Sequence, residues 1–300
     1  MPESEIIKGE LYVNVERYNG STVLFDFLDI ANYEKFLNLL GDAAPKSPFT
    51  HPSMVLIKNY DQRKLSEGTT YDLSLNVLNT LSENGQIILS RIDSYLIGYE
   101  IKFNGDEEPL FLKSSAISNP VREIDEELLD IDLTFDEQIQ VSIRNVGQGS
   151  WNEVLNGEKV KLLFDMGTAY TAPKKFVRKL VDERIQDLKE GNPGLIISHW
   201  DVDHYHCLKS CSQEELSILS FVICRNDLPN LTSQTVFDSL KNAIGEKVYP
   251  IAAFEKPEKK LKYCLLKKLR SGSGNIYLFC PLFSFPGASS AGLVCRWLFS

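Results

Sequence analysis

The sequence lacks the features that would place it in a membrane or on a nucleic-acid backbone. No stretch of about 18 apolar residues occurs in the 300-residue chain, so we expect no membrane span. Residues 1–5 are polar and acidic, without the basic region and apolar run of a signal peptide. Basic residues are in the minority, and the formal net charge of -9 argues against a general binder of phosphate backbones. Nucleic-acid chemistry is not excluded, because bound metal ions can supply local positive charge.

Cysteine is absent from the first half of the chain. The six cysteines lie at positions 207, 211, 224, 264, 280 and 295, and none forms a C-x-x-C pair. We interpret them as reduced thiols of a cytoplasmic protein. Cys207 and Cys211 are four residues apart, which allows a metal-ligand pair, although packing thiols are the simpler interpretation.

The first 120 residues read mostly as strands, and we predict a β-rich α+β domain over residues 1–120. Asn19-Gly20 and Asn104-Gly105 are favoured dipeptides of tight hairpin turns, and strands flank both of them. His51 stands alone in a loop-like stretch and is interpreted as a surface histidine. No catalytic constellation is visible in this part. The predicted elements are strands at 11–15, 22–27, 87–89, 95–103 and 110–112 and helices at 32–40 and 73–81.

Residues 121–137 are strongly acidic, with leucine and isoleucine interleaved among the carboxylates. We interpret this segment as a solvated connector. An acidic interaction segment is the alternative.

From residue 138 the pattern changes to strands that alternate with helices, which predicts an α/β layered domain over residues 138–300. A hairpin is predicted around Asn156-Gly157. A helix is predicted from Pro173 to a stop at Gly191, and Ser212 to Glu215 form a predicted capping box. The other predicted elements are strands at 139–144, 195–197, 221–224 and 276–279 and a helix at 235–243.

Four potential metal ligands follow the apolar strand 195–197 within six residues: His199, Asp201, Asp203 and His204. A loop that leaves a strand end is where α/β folds place their chemistry. In such a loop His199 and Asp201 can share one ion, and Asp203 and His204 can reach a second. Imidazole and carboxylate together suit zinc, manganese or iron. Two ions about 4 Å apart can activate water and clamp a phosphodiester; lactam and thioester hydrolysis are compatible too, and the motif does not choose.

The arrangement His199-x-Asp201-x-Asp203-His204 resembles the signature of the metallo-β-lactamase fold. With aspartate at the third position, it is similar to the hydrolase domain of the bacterial competence (DNA-uptake) channel protein. The Asn-Val-Gly-Gln-Gly run at 145–149 is similar to that group's opening strand and glycine turn. The Leu-Phe-Asp-Met-Gly run at 163–167 is similar to its second conserved strand end. The three motifs occur in the family's order and spacing and together cover about residues 138–208.

The resemblance implies a role for each ligand. His199 and Asp201 would bind the first metal. Asp203 and His204 would bind the second, and Asp203 would also orient the attacking water as the catalytic carboxylate. Asp165 would brace the ligand loop from behind, although a strand-end cap is an alternative for this residue.

The glycine turn is implied to form a site loop of Gly147, Gln148 and Gly149, whose glycines let the backbone approach the site closely. A plain tight turn is the alternative. The family has glycine shortly after the second histidine, where this chain has His206, which could be a spare ligand, a base or a surface residue. The family also needs a further histidine and a bridging aspartate downstream.

No histidine follows His206, and neither candidate aspartate, Asp227 or Asp238, lies in the expected glycine-aspartate pair. Residues 290–300 read as a strand that, in the family, precedes the turn with the bridging aspartate. We therefore expect a metallo-β-lactamase-type αββα sandwich that lacks its C-terminal part, because the chain is truncated, natively partial or completed from elsewhere.

The sequence thus favours a metal-dependent hydrolase with zinc or manganese in a two-metal site. Phosphodiesters of nucleic acids or nucleotides are the preferred substrates, and the first domain would recognise substrate or a protein partner. A role in defence against phage is suggested by analogy with stand-alone bacterial proteins of this kind. The alternatives are a hydrolase of small thioesters or lactams, and a catalytically inactive binding or regulatory protein.

Overall fold

The hairpin predicted around Asn19 and Gly20 is the centre of a seven-stranded sheet in the computed structural model. The model describes residues 10–41, 53–91, 97–103, 108–115, 119–120, 131, 133, 135, 137–251, 263–271, 274–281 and 294–298. The chain is mixed α/β and divides into two compact units. The first comprises Met1–Ser118 with Pro229–Thr235, and the second comprises Asn119–Leu228 with Val236–Ser300.

The first unit is built from seven strands and two helices in the described ranges. The sheet order is β5-β6-β3-β2-β1-β4-β7, and all neighbours are antiparallel except β3 and β6. Helix α1 begins at Asp29, whose carboxylate accepts from the backbone of Asn32, and it ends at Gly41 in the left-handed conformation. The elements are β1 (Glu10–Tyr18), β2 (Thr22–Phe27), α1 (Ile30–Leu40), β3 (Val55–Lys58), β4 (Thr69–Ser74), α2 (Leu75–Glu83), β5 (Ile87–Arg91), β6 (Ile97–Lys102) and β7 (Phe111–Ser115).

Two sequence predictions for this unit need correction. The hairpin predicted between 95–103 and 110–112 is wrong, because β6 pairs with β3 and β5 whereas β7 pairs with β4. The dipeptide Asn104-Gly105 itself lies outside the described residues, as does His51. The second helix begins at Leu75 rather than at residue 73, because Ser74 ends strand β4 and its hydroxyl caps the helix.

The second unit is centred on a six-stranded sheet of order β15-β13-β12-β11-β10-β9. Strands β11, β12, β13 and β15 are parallel, so their carboxyl ends share one edge, and β9, β10 and β11 form an antiparallel meander. The elements of the unit are β8 (Asn119–Pro120), β9 (Ile139–Ile143), β10 (Asn152–Asn156), β11 (Lys159–Phe164), α3 (Lys174–Asp182), α4 (Ile185–Gly191), β12 (Gly194–Ile196), α5 (Val202–Tyr205), α6 (Gln213–Leu216), β13 (Phe221–Arg225), β14 (Asp227–Leu228), α7 (Leu231–Ile244), β15 (Val248–Ile251), β16 (Tyr263–Ser271), β17 (Gly274–Pro281) and β18 (Val294–Leu298).

The long helix predicted between Pro173 and Gly191 is two helices. It breaks at Arg184, whose guanidinium lies 2.7 Å from the buried carboxylate of Glu153 on strand β10. A buried carboxylate needs a paired cation, and this pairing fixes the chain direction between α3 and α4. The capping box at Ser212 and Glu215 is present as predicted.

Helix α7 starts earlier than the predicted residue 235. Asn230 Oδ1 accepts from the Ser233 backbone at 2.8 Å, and the buried carboxylate of Asp26 accepts from the Thr232 backbone at 3.0 Å. An acceptor and a negative charge both stabilise a helix N-terminus. Residues 229–235, in which α7 begins, therefore group with the first unit, and Leu231 is buried in its core.

The described part of the acidic segment 121–137 contributes to the second core. Leu133 and Phe135 are buried against strands of the six-stranded sheet, so at these positions the segment is not a solvated connector. Residues 121–130 lie outside the described residues. The strand predicted at 276–279 lies within β17, and that predicted at 290–300 overlaps β18, which pairs with β17. None of the helices in the described ranges combines the length and apolar character needed to cross a membrane.

Candidate functional site

The carboxyl edge of the parallel strands brings the predicted site residues together. Asp165 follows β11 directly, and the segment from Ser198 to His204 follows β12. Strands β12 and β13 pair in parallel with Ile196 opposite Ile223, so Ser198 and Arg225 stand at the same level of this edge. Polar side chains at adjacent carboxyl ends share one surface, as is usual for sites in α/β sheets.

Asp165 is the buried centre of the cluster. Its side chain is fully buried, and its backbone has a positive φ of 61°, a conformation that aspartate tolerates better than most residues. One carboxylate oxygen accepts from the Ser198 backbone at 2.7 Å, and the other accepts from Ser198 Oγ at 2.9 Å and lies 2.7 Å from His204 Nδ1. The Asp165 carboxylate thus holds both Ser198 and His204 in place, and its role behind a metal-ligand loop stays a prediction.

Ser198 is a site residue that the sequence did not single out. Its hydroxyl donates its one hydrogen to Asp165, so the oxygen accepts from His199 Nδ1, 2.9 Å away. A lone serine before a histidine carries no recognisable signal. Only its position, at the level where the strand meets the ligand loop, could have pointed to it.

The two histidine rings of the motif lie close together, tilted by 50°, and each has its Nδ1 atom held by a hydrogen bond. Their ring centroids are 3.8 Å apart. His199 Nε2 lies 3.0 Å from Asp201 Oδ2, and His204 Nε2 lies 3.9 Å from Asp203 Oδ1. Because each Nδ1 already donates, the Nε2 of a neutral ring presents a lone pair toward a carboxylate. Two acceptors 3.0 Å apart repel each other unless a proton or a metal ion lies between them.

The pKa values of the cluster reflect this pairing. Desolvation would raise the pKa of Asp201, but the hydrogen bond and charge of His199 outweigh it, and the pKa of that carboxyl is lowered. Desolvation would likewise lower the pKa of His204, but its hydrogen bond to Asp165 and the charge of that carboxylate raise it. Both shifts favour the charged forms, the anion of Asp201 and the cation of His204.

Backbone hydrogen bonds join the three motifs of the sequence. The Ser150 amide donates to Asp203 O at 3.1 Å, the Gly167 amide donates to Ser150 O at 2.8 Å, and the Met166 amide donates to His204 O at 2.9 Å. A Cβ on Gly167 would stand 1.8 Å from Asp203 O, so only glycine fits there. A Cβ on Gly149 would likewise stand 2.8 Å from Asp203 O, so the glycine turn packs against the backbone of the loop from His199 to His204.

His206 and the two neighbouring cysteines are structural in their contacts. His206 Nδ1 lies 2.9 Å from Ala169 O, and desolvation by burial lowers the pKa of His206 to about 4. Cys207 and Cys211 are free thiols, and burial raises the pKa of both, to about 12 for Cys211. High pKa values are typical of packing thiols rather than of reactive or metal-binding ones.

Arg225, the last residue of β13, and Asp227, the first residue of β14, extend the polar edge. The guanidinium of Arg225 holds the Asp227 carboxylate in a two-point ion pair, and Arg225 O accepts from the indole of Trp200 at 2.9 Å. Trp200 thereby ties the ligand loop to the next strand. The sequence named Asp227 only as a candidate bridging ligand, and it missed the arginine. Asp238, the other candidate, lies on α7, where burial raises the pKa of its carboxyl.

The types of ligand in the cluster suit a divalent metal ion, but the number of ligands that converge on one point is too small. Two imidazole nitrogens with fixed tautomers face two carboxylates, the combination that zinc and manganese prefer. Across the described ranges, however, no three histidine, cysteine, aspartate or glutamate side chains are placed so that they could hold one ion together. The cluster offers two separate imidazole–carboxylate pairs.

Comparisons with known proteins add no family to this geometry. No protein-family model, no curated protein and no solved structure matches the chain.

Proposed function

We propose that the chain is a metal-dependent hydrolase of phosphodiester bonds, with its site on the carboxyl edge of the six-stranded sheet. The observation that carries the proposal is the pair of anchored histidines. His199 Nε2 lies 3.0 Å from Asp201 Oδ2, a contact that calls for a proton or a metal cation between the two atoms, whereas His204 Nε2 lies 3.9 Å from Asp203 Oδ1. A bound zinc or manganese ion would supply that charge and would activate water for attack on phosphorus.

The chain's own residues would orient the site. Asp165 and Ser198 fix both Nδ1 atoms, which keeps the Nε2 atoms directed at the reacting side of the cluster. The Asp201 and Asp203 side chains are partly exposed, at 54% and 33%, and so can meet a substrate. In this proposal Asp203 accepts a hydrogen bond from the attacking water and aligns it.

We further propose a metallo-β-lactamase-type αββα sandwich for the second unit. The support is the order of its motifs and the mixed sheet whose parallel edge holds all of them. The first unit would then contact substrate or a protein partner. The free thiols of Cys207, Cys211 and Cys224 agree with a cytoplasmic protein. Defence against phage remains a proposal by analogy.

The test measures metal content and hydrolysis on the whole chain. Phosphodiester, thioester and lactam substrates are assayed in parallel with manganese and with zinc. Asp203→Ala should abolish hydrolysis while the thermal unfolding midpoint stays within a few degrees of the wild type. Asp61→Ala, an exposed aspartate of the first unit, is the matched control and should leave turnover unchanged. Unchanged turnover in Asp203→Ala would refute the site assignment.

A binding or regulatory protein without catalysis is the second candidate. It is favoured by the geometry of the cluster, in which the described residues form two separate imidazole–carboxylate pairs and no group of three ligands around one point. Metal analysis separates the two functions. Less than about one tightly bound ion per chain would exclude the two-metal enzyme and leave the binding protein.

A further inference from the structure

The glycine turn beside the candidate site combines two glycines of positive φ with three backbone amides that have no partner among the described residues of the protein. Gly147 and Gly149 have positive φ angles of 75° and 149°, whereas Val146 and Gln148, with which they alternate, are not among the positive-φ residues. In a turn, successive backbone N–H groups can be brought to one side of the chain. The concave surface that results binds anions through backbone donors.

The amides of this turn are open to a ligand. Within the described ranges, the backbone N–H groups of Gly147, Gln148 and Gly149 make no hydrogen bond to the protein. Gly147 and Gln148 are exposed, and Gly149 is half-buried. The three amides therefore have no partner in the described part of the protein, and two of them belong to exposed residues that a ligand accepting several hydrogen bonds can reach.

The turn is held rigidly against the candidate site. Thr168 Oγ1 donates to Val146 O at 2.6 Å, and the Ser150 amide donates to Asp203 O at 3.1 Å. A Cβ on Gly149 would stand 2.8 Å from Asp203 O, so the turn lies directly on the backbone of the proposed catalytic carboxylate. Because the turn is already ordered, little conformational entropy is lost when its N–H groups bind an anion.

Charge explains why backbone donors are needed at this place. The cluster is rich in carboxylates, and the chain carries a net charge of -9. A phosphodiester is itself an anion, so carboxylates repel it, and backbone N–H groups attract its oxygens without adding a titratable group. We propose that residues 147–149 form a phosphate-binding nest that holds a non-bridging oxygen of the substrate beside Asp203. The identity of the substrate rests on the proposed function; the anion site does not.

The test is a titration of the isotopically labelled whole chain with inorganic phosphate in the absence of metal, followed by amide NMR. The amide signals of Gly147, Gln148 and Gly149 should shift together and saturate. The amide of Gly245, another glycine with positive φ and open surroundings, should not move. Equal shifts at Gly245 and at the turn, or no shift at the turn, would overturn the proposal. The titration uses the wild-type chain, so it tests the proposal even if a variant fails to fold.

Two matched variants sharpen the result. An added Cβ meets no atom within 4 Å at either Gly147 or Gly245. The variants Gly147→Ala and Gly245→Ala therefore introduce no steric clash, and they differ only in their distance from the proposed anion site. Alanine disfavours positive φ and would disperse the nest. One hydrogen bond to a charged oxygen corresponds to about a tenfold change in affinity. Gly147→Ala should therefore weaken phosphate binding about tenfold, and Gly245→Ala should leave it unchanged.

An affinity for phosphate that is equal in both variants and the wild type would also overturn the nest. Saturable binding at the turn without any phosphodiester hydrolysis would keep the nest and reject the proposed function. Phosphodiester hydrolysis without phosphate binding at the turn would reject the nest and keep the proposed function.

Discussion

The substitution Asp165→Asn separates a bracing role from a merely structural one. Asparagine has nearly the same shape and also tolerates the positive φ of this position. Its amide oxygen can still accept from the Ser198 backbone, but its NH₂ group replaces the oxygen that now faces His204 Nδ1 at 2.7 Å. That NH₂ group can only donate, so His204 Nδ1 must accept and the ring proton must move to Nε2.

The expected magnitudes follow from the three hydrogen bonds of the Asp165 carboxylate, to the Ser198 backbone, to Ser198 Oγ and to His204 Nδ1. Charge-assisted hydrogen bonds are replaced by neutral ones at a cost of roughly 1 kcal/mol each, so the free energy of unfolding should fall by about 3 kcal/mol. A protonated Nε2 cannot ligate a metal. Loss of a carboxylate behind a ligand histidine typically lowers metal affinity by about 10- to 100-fold, and we expect a change of this size.

The assay combines urea unfolding, calorimetric titration with zinc or manganese, and the ¹⁵N shifts of the imidazole nitrogens. Asp26→Asn is the matched control, because Asp26 is a fully buried aspartate of the first unit that accepts from the Phe27 and Thr232 backbones. It should lower stability and leave metal affinity unchanged. If Asp165→Asn keeps the His204 tautomer and binds metal within twofold of the wild type, Asp165 is only a strand-end cap.

Three further outcomes are expected. Gly167→Ala should lower stability by about 1–3 kcal/mol and abolish activity, because its Cβ would collide with the Asp203 carbonyl; normal urea unfolding would contradict the packing described here. The hydrogen bond from Arg178 lowers the pKa of Glu215 from 4.5 to about 2, so Glu215 stabilises the fold above about pH 4.5, and this contribution is lost as pH falls through 2. Glu215→Gln should therefore remove part of the acid destabilisation measured over that range, and an unchanged stability–pH curve would refute the ion pair. Trp200→Phe should cost about 1 kcal/mol, the net value of the indole hydrogen bond to the end of β13, as measured by urea unfolding.

Much of the second unit could be predicted because its signals are local. The ligand loop follows a buried strand, and the run around Asp165 ends the neighbouring strand, so their meeting at one edge follows from parallel pairing. The helix break at Arg184 could not be predicted, because it depends on a buried partner, Glu153, distant in sequence. Ser198 was missed for a related reason: its role depends on what surrounds its hydroxyl.

The first unit shows the limits of turn signals. Asn19-Gly20 joins two paired strands, whereas the strands on either side of Asn104-Gly105 pair with other strands. The dipeptide favours a tight turn but cannot choose a partner, since pairing depends on contacts across the whole sheet. Likewise, the grouping of 229–235 with the first unit depends on the buried Asp26, which no local pattern reveals.

The backbone bonds that join Ser150, Asp203, Met166 and His204 have a consequence for how the site forms. Each of the three loops takes part of its hydrogen bonding from another loop that is remote in sequence. A fragment that contained one of these loops alone would therefore lack part of its hydrogen bonding. We expect the loops to open and close as one cooperative unit in the native protein. Changes made in any two of them should not have additive effects on stability.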